Sequence, residues 1–114
     1  LPQALPAADL ADALGAALGS TPLVLPGGDH TVRTVGIVSG GAARDIRAAA
    51  ALGLDAFVTG EPSEDAPYLA RELGVHMIAA GHNATETVGV QALAAAAAER
   101  FGIATAFLPV ANPV

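Results

Sequence analysis

Three short apolar runs in this chain each end in a loop that carries glycine. Arg33-Thr34-Val35-Gly36-Ile37-Val38 leads into Ser39-Gly40-Gly41, Ala56-Phe57-Val58-Thr59 into Gly60-Glu61, and Val75-His76-Met77-Ile78-Ala79-Ala80 into Gly81-His82. Helix-forming segments separate the runs. Parallel strands need a connection of a dozen or more residues, usually a helix, so the alternation predicts an α/β fold. The expected form is a layered sheet with helices packed on it and strands joined largely by right-handed α crossovers. Parallel strands finish on one edge, and ligands bind in the crevice outside those carboxyl ends. Glycine lets the backbone turn sharply there or approach a ligand, although short connections also use it for structure alone. Three such loops on one edge, two of them with metal-type side chains, favour a site.

Along the chain, Ala7 to Leu18 reads as an amphipathic helix, with Leu10, Leu14 and Leu18 at helical spacing and Gly19 as its stop. Leu23-Val24-Leu25 and Arg33 to Val38 read as strands, with Pro26-Gly27-Gly28-Asp29 supplying turn chemistry between them. A helix is expected over Ala43 to Leu52 and a strand over Ala56 to Thr59. Another helix runs to Leu73, capped by Ser63 with Glu64 and Asp65 in its first turn. Val75 to Ala80 is the next strand. Asn83 or Thr85 opens the last helix, which ends near Phe101-Gly102, and Ile103 to Leu108 is expected as a final strand.

The chemistry concentrates in Gly81-His82-Asn83-Ala84-Thr85-Glu86. Residues i and i+4 of a helix share a face, so the His82 imidazole and the Glu86 carboxylate can reach one point. That donor pair suits a divalent metal of the Zn, Mn or Fe type. The same spacing also arises from ordinary surface charge on a helix. Its place just after a strand-like run and a glycine raises the metal reading. The strand-end edge would gather Glu61, His82 and Glu86 together.

Length and composition bound the rest. A chain of 114 residues with 53% apolar content is the size of one α/β unit, taken as residues 1–114, with a core of its own. Much of that content is alanine and only 4% is aromatic, so packing must depend on Leu, Val and Ile. The lack of cysteine removes disulfides, thiolate metal sites and cysteine nucleophiles. The net charge of −6, with five dispersed Lys and Arg residues, offers no basic stripe for nucleic acid. No run approaches the roughly 18 apolar residues of a membrane span. Leu1-Pro2-Gln3 shows no basic region before an apolar core, so no signal peptide is expected and the expected location is cytoplasmic. A start without Met fits a fragment. The Ala-rich segment Val88 to Ala98 is apolar all round, which predicts self-association, because such a helix must be covered by something.

Gly60-Glu61, Ala80-Gly81-His82, Ala84-Thr85-Glu86, Gly89-Val90-Gln91-Ala92-Leu93 and Asn112-Pro113-Val114 together resemble the C-terminal part of one family. It is the Nif-three-like dinuclear-metal proteins, also called type 2 homologues of GTP cyclohydrolase I. The resemblance runs from about Leu10 to the end and is most specific from Thr59 to Gly102. It implies one half of a two-part fold, since members are about twice this length. It implies two divalent metal ions per intact protein. Their ligands include a His pair and an Asp from the N-terminal half, with His82 and Glu86 matching the two from the C-terminal half. No His-His pair occurs in this sequence. Binding by this chain alone is therefore expected to be weak. The resemblance also implies a homo-oligomer, a ring-like hexamer in relatives, and a small nucleotide or phosphoester as substrate. Two functions follow: a metal-dependent hydrolase, or a non-catalytic metal-binding scaffold or regulatory protein.

The remaining features are weaker. Glu61 is a possible catalytic residue, either supporting a metal ligand or facing substrate, or else a solvated loop carboxylate. Gly40-Gly41-Ala42-Ala43 before a helix suggests an anion cradle but matches no nucleotide-binding fingerprint. His30 reads as a surface residue and His76 as a partly exposed structural histidine. Tyr68 stands where some relatives carry a histidine. Ser39 and Ser63 have no evident base partner, which gives no support to a nucleophilic hydrolase.

Overall fold

The structure, a computed structural model, describes residues 1–112. Helix α1, Ala7–Leu18, ends where Gly19 takes the left-handed conformation (φ 67°) that a side chain would strain. Four strands follow: β1 (Leu23–Leu25), β2 (Val35–Ile37), β3 (Ala56–Thr59) and β4 (His76–Ala79). They form one sheet in the order β1-β4-β3-β2. Strands β2, β3 and β4 are parallel, with Val35 opposite Ala56 and Ala56 opposite His76, while β1 runs antiparallel to β4. A 3-10 turn, Ala43–Asp45, leads into helix α2, Ile46–Ala51, which joins β2 to β3. Helix α3, Ala66–Leu73, joins β3 to β4, and helix α4, His82–Phe101, follows β4.

Every residue of β3 and β4 is buried, as expected of central parallel strands covered on both faces. Alternate side chains serve opposite layers. Phe57 and Met77 pack with Ile46, Ala49 and Leu69 from α2 and α3. Val58 and Ile78 pack with Ala11 and the Leu10-Leu14-Leu18 stripe of α1. Met77 and Ile78 are fully buried, and each such side chain contributes roughly 1.5–3 kcal/mol. The expected α/β layers and α crossovers are therefore present. Among the described residues, no helix is long and apolar enough to cross a membrane.

Strands β1 and β2 lie at opposite edges, so residues 26–34 must cross the sheet at the starts of β3 and β4. Gly27 permits the crossing, because a Cβ there would come within 2.3 Å of the Val75 carbonyl carbon. His76, expected partly exposed, is 3% exposed, because the crossing segment covers it. Its Nδ1 accepts the Gly27 N–H at 3.2 Å, and its Nε2–H donates to the His30 carbonyl at 3.0 Å. His30 is exposed as expected and its ring lies 4.2 Å from that of His76. The Asp55 carboxylate accepts the N–H groups of Thr34 (2.8 Å) and Arg33 (2.9 Å), which hold it below the usual carboxylate range.

Several expected boundaries move. The strand expected over Arg33 to Val38 narrows to Val35–Ile37, since Arg33 and Thr34 face Asp55 instead. Ser63 donates to the Asp65 carboxylate at 2.5 Å and does not cap α3, and Glu64 and Asp65 precede that helix. Helix α4 opens at His82, one residue before the expected range, with Gly81 at φ 97° as its cap. Glu86 therefore lies one full turn into α4 rather than in its first turn. No strand forms over Ile103 to Leu108. That segment joins neither open sheet edge, and Phe107 and Leu108 instead line a cavity with Asn83, Glu86 and Val90 of α4. Pro113 and Val114, part of the sequence resemblance, lie outside the described residues.

Candidate functional site

The hydrogen-bond ladder of the parallel strands continues past their ends into the three glycine loops. Gly60 N–H donates to Gly40 O and Gly81 N–H to Gly60 O, both at 2.8 Å. The loops after β2, β3 and β4 are thus laced side by side. Thr59, fully buried, adds a side-chain tie: its hydroxyl donates to Gly40 O (3.0 Å) and accepts the Ala42 N–H (3.2 Å). Thr85 ties the first turn of α4 to the same loop, accepting the Gly40 N–H at 3.1 Å while donating to His82 O at 3.0 Å. These bonds occupy the Gly40 and Ala42 N–H groups, two of the four backbone donors of the expected anion cradle.

This lacing brings Glu61, His82 and Glu86 together at the carboxyl edge of the sheet. His82 Nδ1 lies 3.3 Å from Glu61 Oε1, and His82 Nε2 lies 3.4 Å from Glu86 Oε1. The side chains are 37%, 46% and 56% exposed for His82, Glu61 and Glu86, so water reaches the cluster and screens its charges. Glycine makes the close approach possible. A Cβ on Gly40 would fall 2.6 Å from Glu86 Oε1 and 3.2 Å from His82 Nε2. On Gly41 it would fall 2.8 Å from Glu61 Oε1, and on Gly60 it would fall 2.6 Å from His82 Cα.

The donor set fits a divalent ion. Two donors each about 2.1 Å from one tetrahedral ion stand about 3.4 Å apart, the separation of His82 Nε2 and Glu86 Oε1. Glycine at position 40 keeps a side chain out of the space beside both atoms. Carboxylates stand at both ring nitrogens; with an ion at Nε2, the Glu61 carboxylate at Nδ1 would favour the tautomer protonated there, the arrangement common around metal-bound histidine. Among the described residues, no group of three or more His, Cys, Asp or Glu side chains could hold a metal ion, so His82 and Glu86 would supply two donors at most.

Other sequence candidates lie elsewhere. Tyr68 is exposed on α3, with the Arg71 guanidinium 5.4 Å from its ring centre. Ser63 is engaged with Asp65, and His30 and His76 belong to the opposite edge of the sheet. Sequence reading placed Gly40 in a strand-end loop but gave no role to Thr59 or Thr85 and did not bring Gly40 beside His82 and Glu86. Their roles depend on contacts across loops, and only the strand-Thr-Gly pattern at Thr59-Gly60 offered a local signal.

The sequence profile of DUF34/NIF3, NGG1p interacting factor 3, matches residues 1–113. A "GTP cyclohydrolase 1 type 2 homolog" of Vibrio cholerae is 43% identical over 114 residues, 98% of this chain and 45% of that protein. A protein of the same name from Deinococcus radiodurans is 44% identical over 108 residues, 95% of this chain and 41% of its own length. Among solved structures, the protein ybgI, of unknown function, superposes with a TM-score of 0.90 at 39% identity, covering 98% of this chain and 46% of that one. The crystal structure of TTHA1606 from Thermus thermophilus gives 0.85 at 38% identity, covering 98% and 45%. The chain thus spans about half the length of these relatives, and by sequence and fold it belongs to the DUF34/NIF3 family.

Proposed function

We propose that the carboxyl edge of the sheet binds a divalent metal ion of the Zn, Mn or Fe type through His82 Nε2 and Glu86. In a protein of the relatives' full length, this site would belong to a two-metal hydrolase of the cyclohydrolase or phosphoester type. The observation that carries the reading is the His82–Glu86 spacing of 3.4 Å beside the side-chain-free Gly40. When bound, a divalent ion supplies Lewis acidity and lowers the pKa of coordinated water. The chain's own residues orient and clear the site. With an ion at Nε2, Glu61, whose Oε1 lies 3.3 Å from Nδ1, would favour the proton on Nδ1 and leave the Nε2 lone pair for the ion. Thr59 and Thr85 fix the Gly40 loop against α4. The relatives' names, GTP cyclohydrolase 1 type 2 homolog, support a small nucleotide or phosphoester as substrate class.

Calorimetry of the 114-residue chain with zinc or manganese tests the site. Weak binding is expected, because two protein donors leave most of the coordination shell to water. His82→Ala should abolish it, and Glu61→Gln should weaken it about tenfold. Tight binding of two ions per chain, or binding unchanged in His82→Ala, would refute the assignment. In a protein of full family length, metal-dependent turnover lost in Glu86→Gln supports the hydrolase. Saturating metal without turnover supports a binding scaffold.

One observation favours an assembly role as well. Helix α4 has no buried residue, and Val88, Val90 and Leu93 are 52%, 55% and 70% exposed. Self-association through these exposed side chains of α4, as a homo-oligomer, is the corresponding proposal. Light scattering checks it: a monomer at high concentration, or an oligomer unaffected by Leu93→Lys, would remove it.

A further inference from the structure

On the Glu61 side of the site, Gly41, Ala43, Arg44, Asp45, Glu61 and Ser63 line a cavity of about 320 Å³. It lies between the 3-10 turn that leads into α2 and the loop that follows β3. Glu61 is the wall it shares with the candidate metal site. The Glu61 Oε1 stands 3.3 Å from His82 Nδ1, and a Cβ on Gly41 would fall 2.8 Å from that oxygen and 3.6 Å from His82 Cε1. The cavity therefore borders the Nδ1 side of the imidazole, while Glu86 stands at Nε2. Arg44 is the cation of this lining, and it is exposed. Acidic residues outnumber basic ones by 11 to 5 in the chain. Even so, among the described residues the Arg44 guanidinium has no ion pair within 4 Å and no hydrogen bond. Nearby acids are engaged elsewhere, Glu61 with His82 and Asp65 with the Ser63 hydroxyl. That hydroxyl is the chief cause holding the Asp65 carboxyl below its ordinary range, and Arg44 and Arg47 add attraction from further off. Of the four backbone donors in the expected anion cradle, those of Gly40 and Ala42 are taken up by Thr85 and Thr59. The other two belong to Gly41 and Ala43, which line this cavity with Arg44.

We propose that Arg44 receives a singly charged oxyanion of a ligand in this cavity, a phosphodiester or carboxylate group. A guanidinium presents a planar fork of N–H donors that pairs with two oxygens of such a group at once. Asp45 and Glu61 share the lining and repel a dianion more than a monoanion, which sets the charge class. That the oxyanion belongs to a molecule held at the ion rests on the metal-site reading. Because the cavity and the proposed ion lie on opposite sides of the imidazole, the oxyanion would be a remote group of that molecule rather than the one under attack. Arg44 would then select the ligand and orient it.

The test is amide-resolved NMR on the metal-free 114-residue chain, titrated separately with sodium dimethyl phosphate and with sodium acetate. Sodium chloride at matched ionic strength is the reference. Saturable shifts at Gly41, Ala43 and Arg44 beyond those with chloride are expected, and added salt should weaken them. The stronger response of the two names the group. Arg44→Gln should weaken binding about tenfold or more, with a nearly unchanged Tm because the exposed side chain holds no partner in the fold. Arg44→Lys should keep part of the affinity, since it retains the charge without the fork. Arg100→Gln, a charge control at the far end of α4, should bind as the parent chain does. His82→Ala should lose metal binding and keep the oxyanion shifts, so failure of the metal site and failure of this cavity give different results. Shifts no larger than those with chloride overturn the proposal. So does an affinity unchanged in Arg44→Gln, or lost equally in Arg100→Gln.

Discussion

Strands β3 and β4 carry large apolar side chains such as Phe57, Met77 and Ile78, helix α4 is mostly alanine and polar residues, and the two meet opposite fates. All eight strand residues from Ala56–Thr59 and His76–Ala79 are buried, and none of the 20 residues of α4 is. The strands have hydrogen-bonded neighbours on both sides and helices on both faces. The helix carries alanine at every position from Ala94 to Ala98, so no face is favoured for docking. At 1.5 Å per residue it extends about 30 Å from its anchor at Gly81, in a molecule 48 Å long. Apolar composition thus sets how much surface can be buried, and arrangement decides where. The candidate site spans the boundary between these regions. Glu61 and the glycines belong to the laced strand ends, and His82 and Glu86 belong to the anchored end of a helix with no buried residue.

The comparison breaks first where a side chain is added to the laced region. Gly60→Ala would press a Cβ against the His82 Cα and Gly40 O, both backbone atoms with little room to yield. A loss of about 3 kcal/mol in urea unfolding is expected; a change under about 1 kcal/mol would show that the strand ends are less tightly packed than the structure indicates. Thr59→Val keeps the shape and removes both hydroxyl bonds, leaving the Ala42 N–H without its acceptor and Gly40 O with the Gly60 N–H. The expected cost is about 2 kcal/mol, accompanied by weaker metal binding, measured by unfolding and calorimetry.

Smaller effects sharpen the contrast. The Asp55 carboxyl is held below its ordinary range, chiefly by the Thr34 N–H and then by the Arg33 N–H. Its contribution is therefore complete above the unfolded value of about 3.9 and is lost as pH falls through the lowered folded value. Asp55→Asn should cost roughly 1 kcal/mol at neutral pH and flatten this acid limb of the stability profile. An unchanged acid limb in the variant would assign the loss to other groups. On α4 the sign reverses. Gly89→Ala meets nothing within 4 Å and fills a helix interior, so it should stabilise by about 0.5–1 kcal/mol. Destabilisation instead would show that this face is covered in solution, which is the outcome expected of an oligomer packed through it.

Local signals carried much of the fold. The Leu10-Leu14-Leu18 stripe and Gly19 marked α1 to the residue, and the bounds of β1 and β3 also followed from short apolar runs between turn residues. The metal-type pair was legible as well, because one helical turn brings His82 and Glu86 together whatever surrounds them. The segment Ile103 to Leu108 misled for a related reason: its composition suits a strand, but a strand exists only where an edge is within reach. His76 read as half-exposed because the segment that covers it comes from the other side of the β1–β2 connection.

By itself, then, the sequence determined the alternation of elements, the glycine exits and the His-x-x-x-Glu pair, all of which depend on residues within a turn or two of one another. Only the tertiary structure decided that Glu61 meets His82 Nδ1 and that Thr85 reaches Gly40 across 45 positions. Those contacts follow from strand order and loop lacing, which periodicity does not encode. Their cost and benefit arise only when distant segments close on one another.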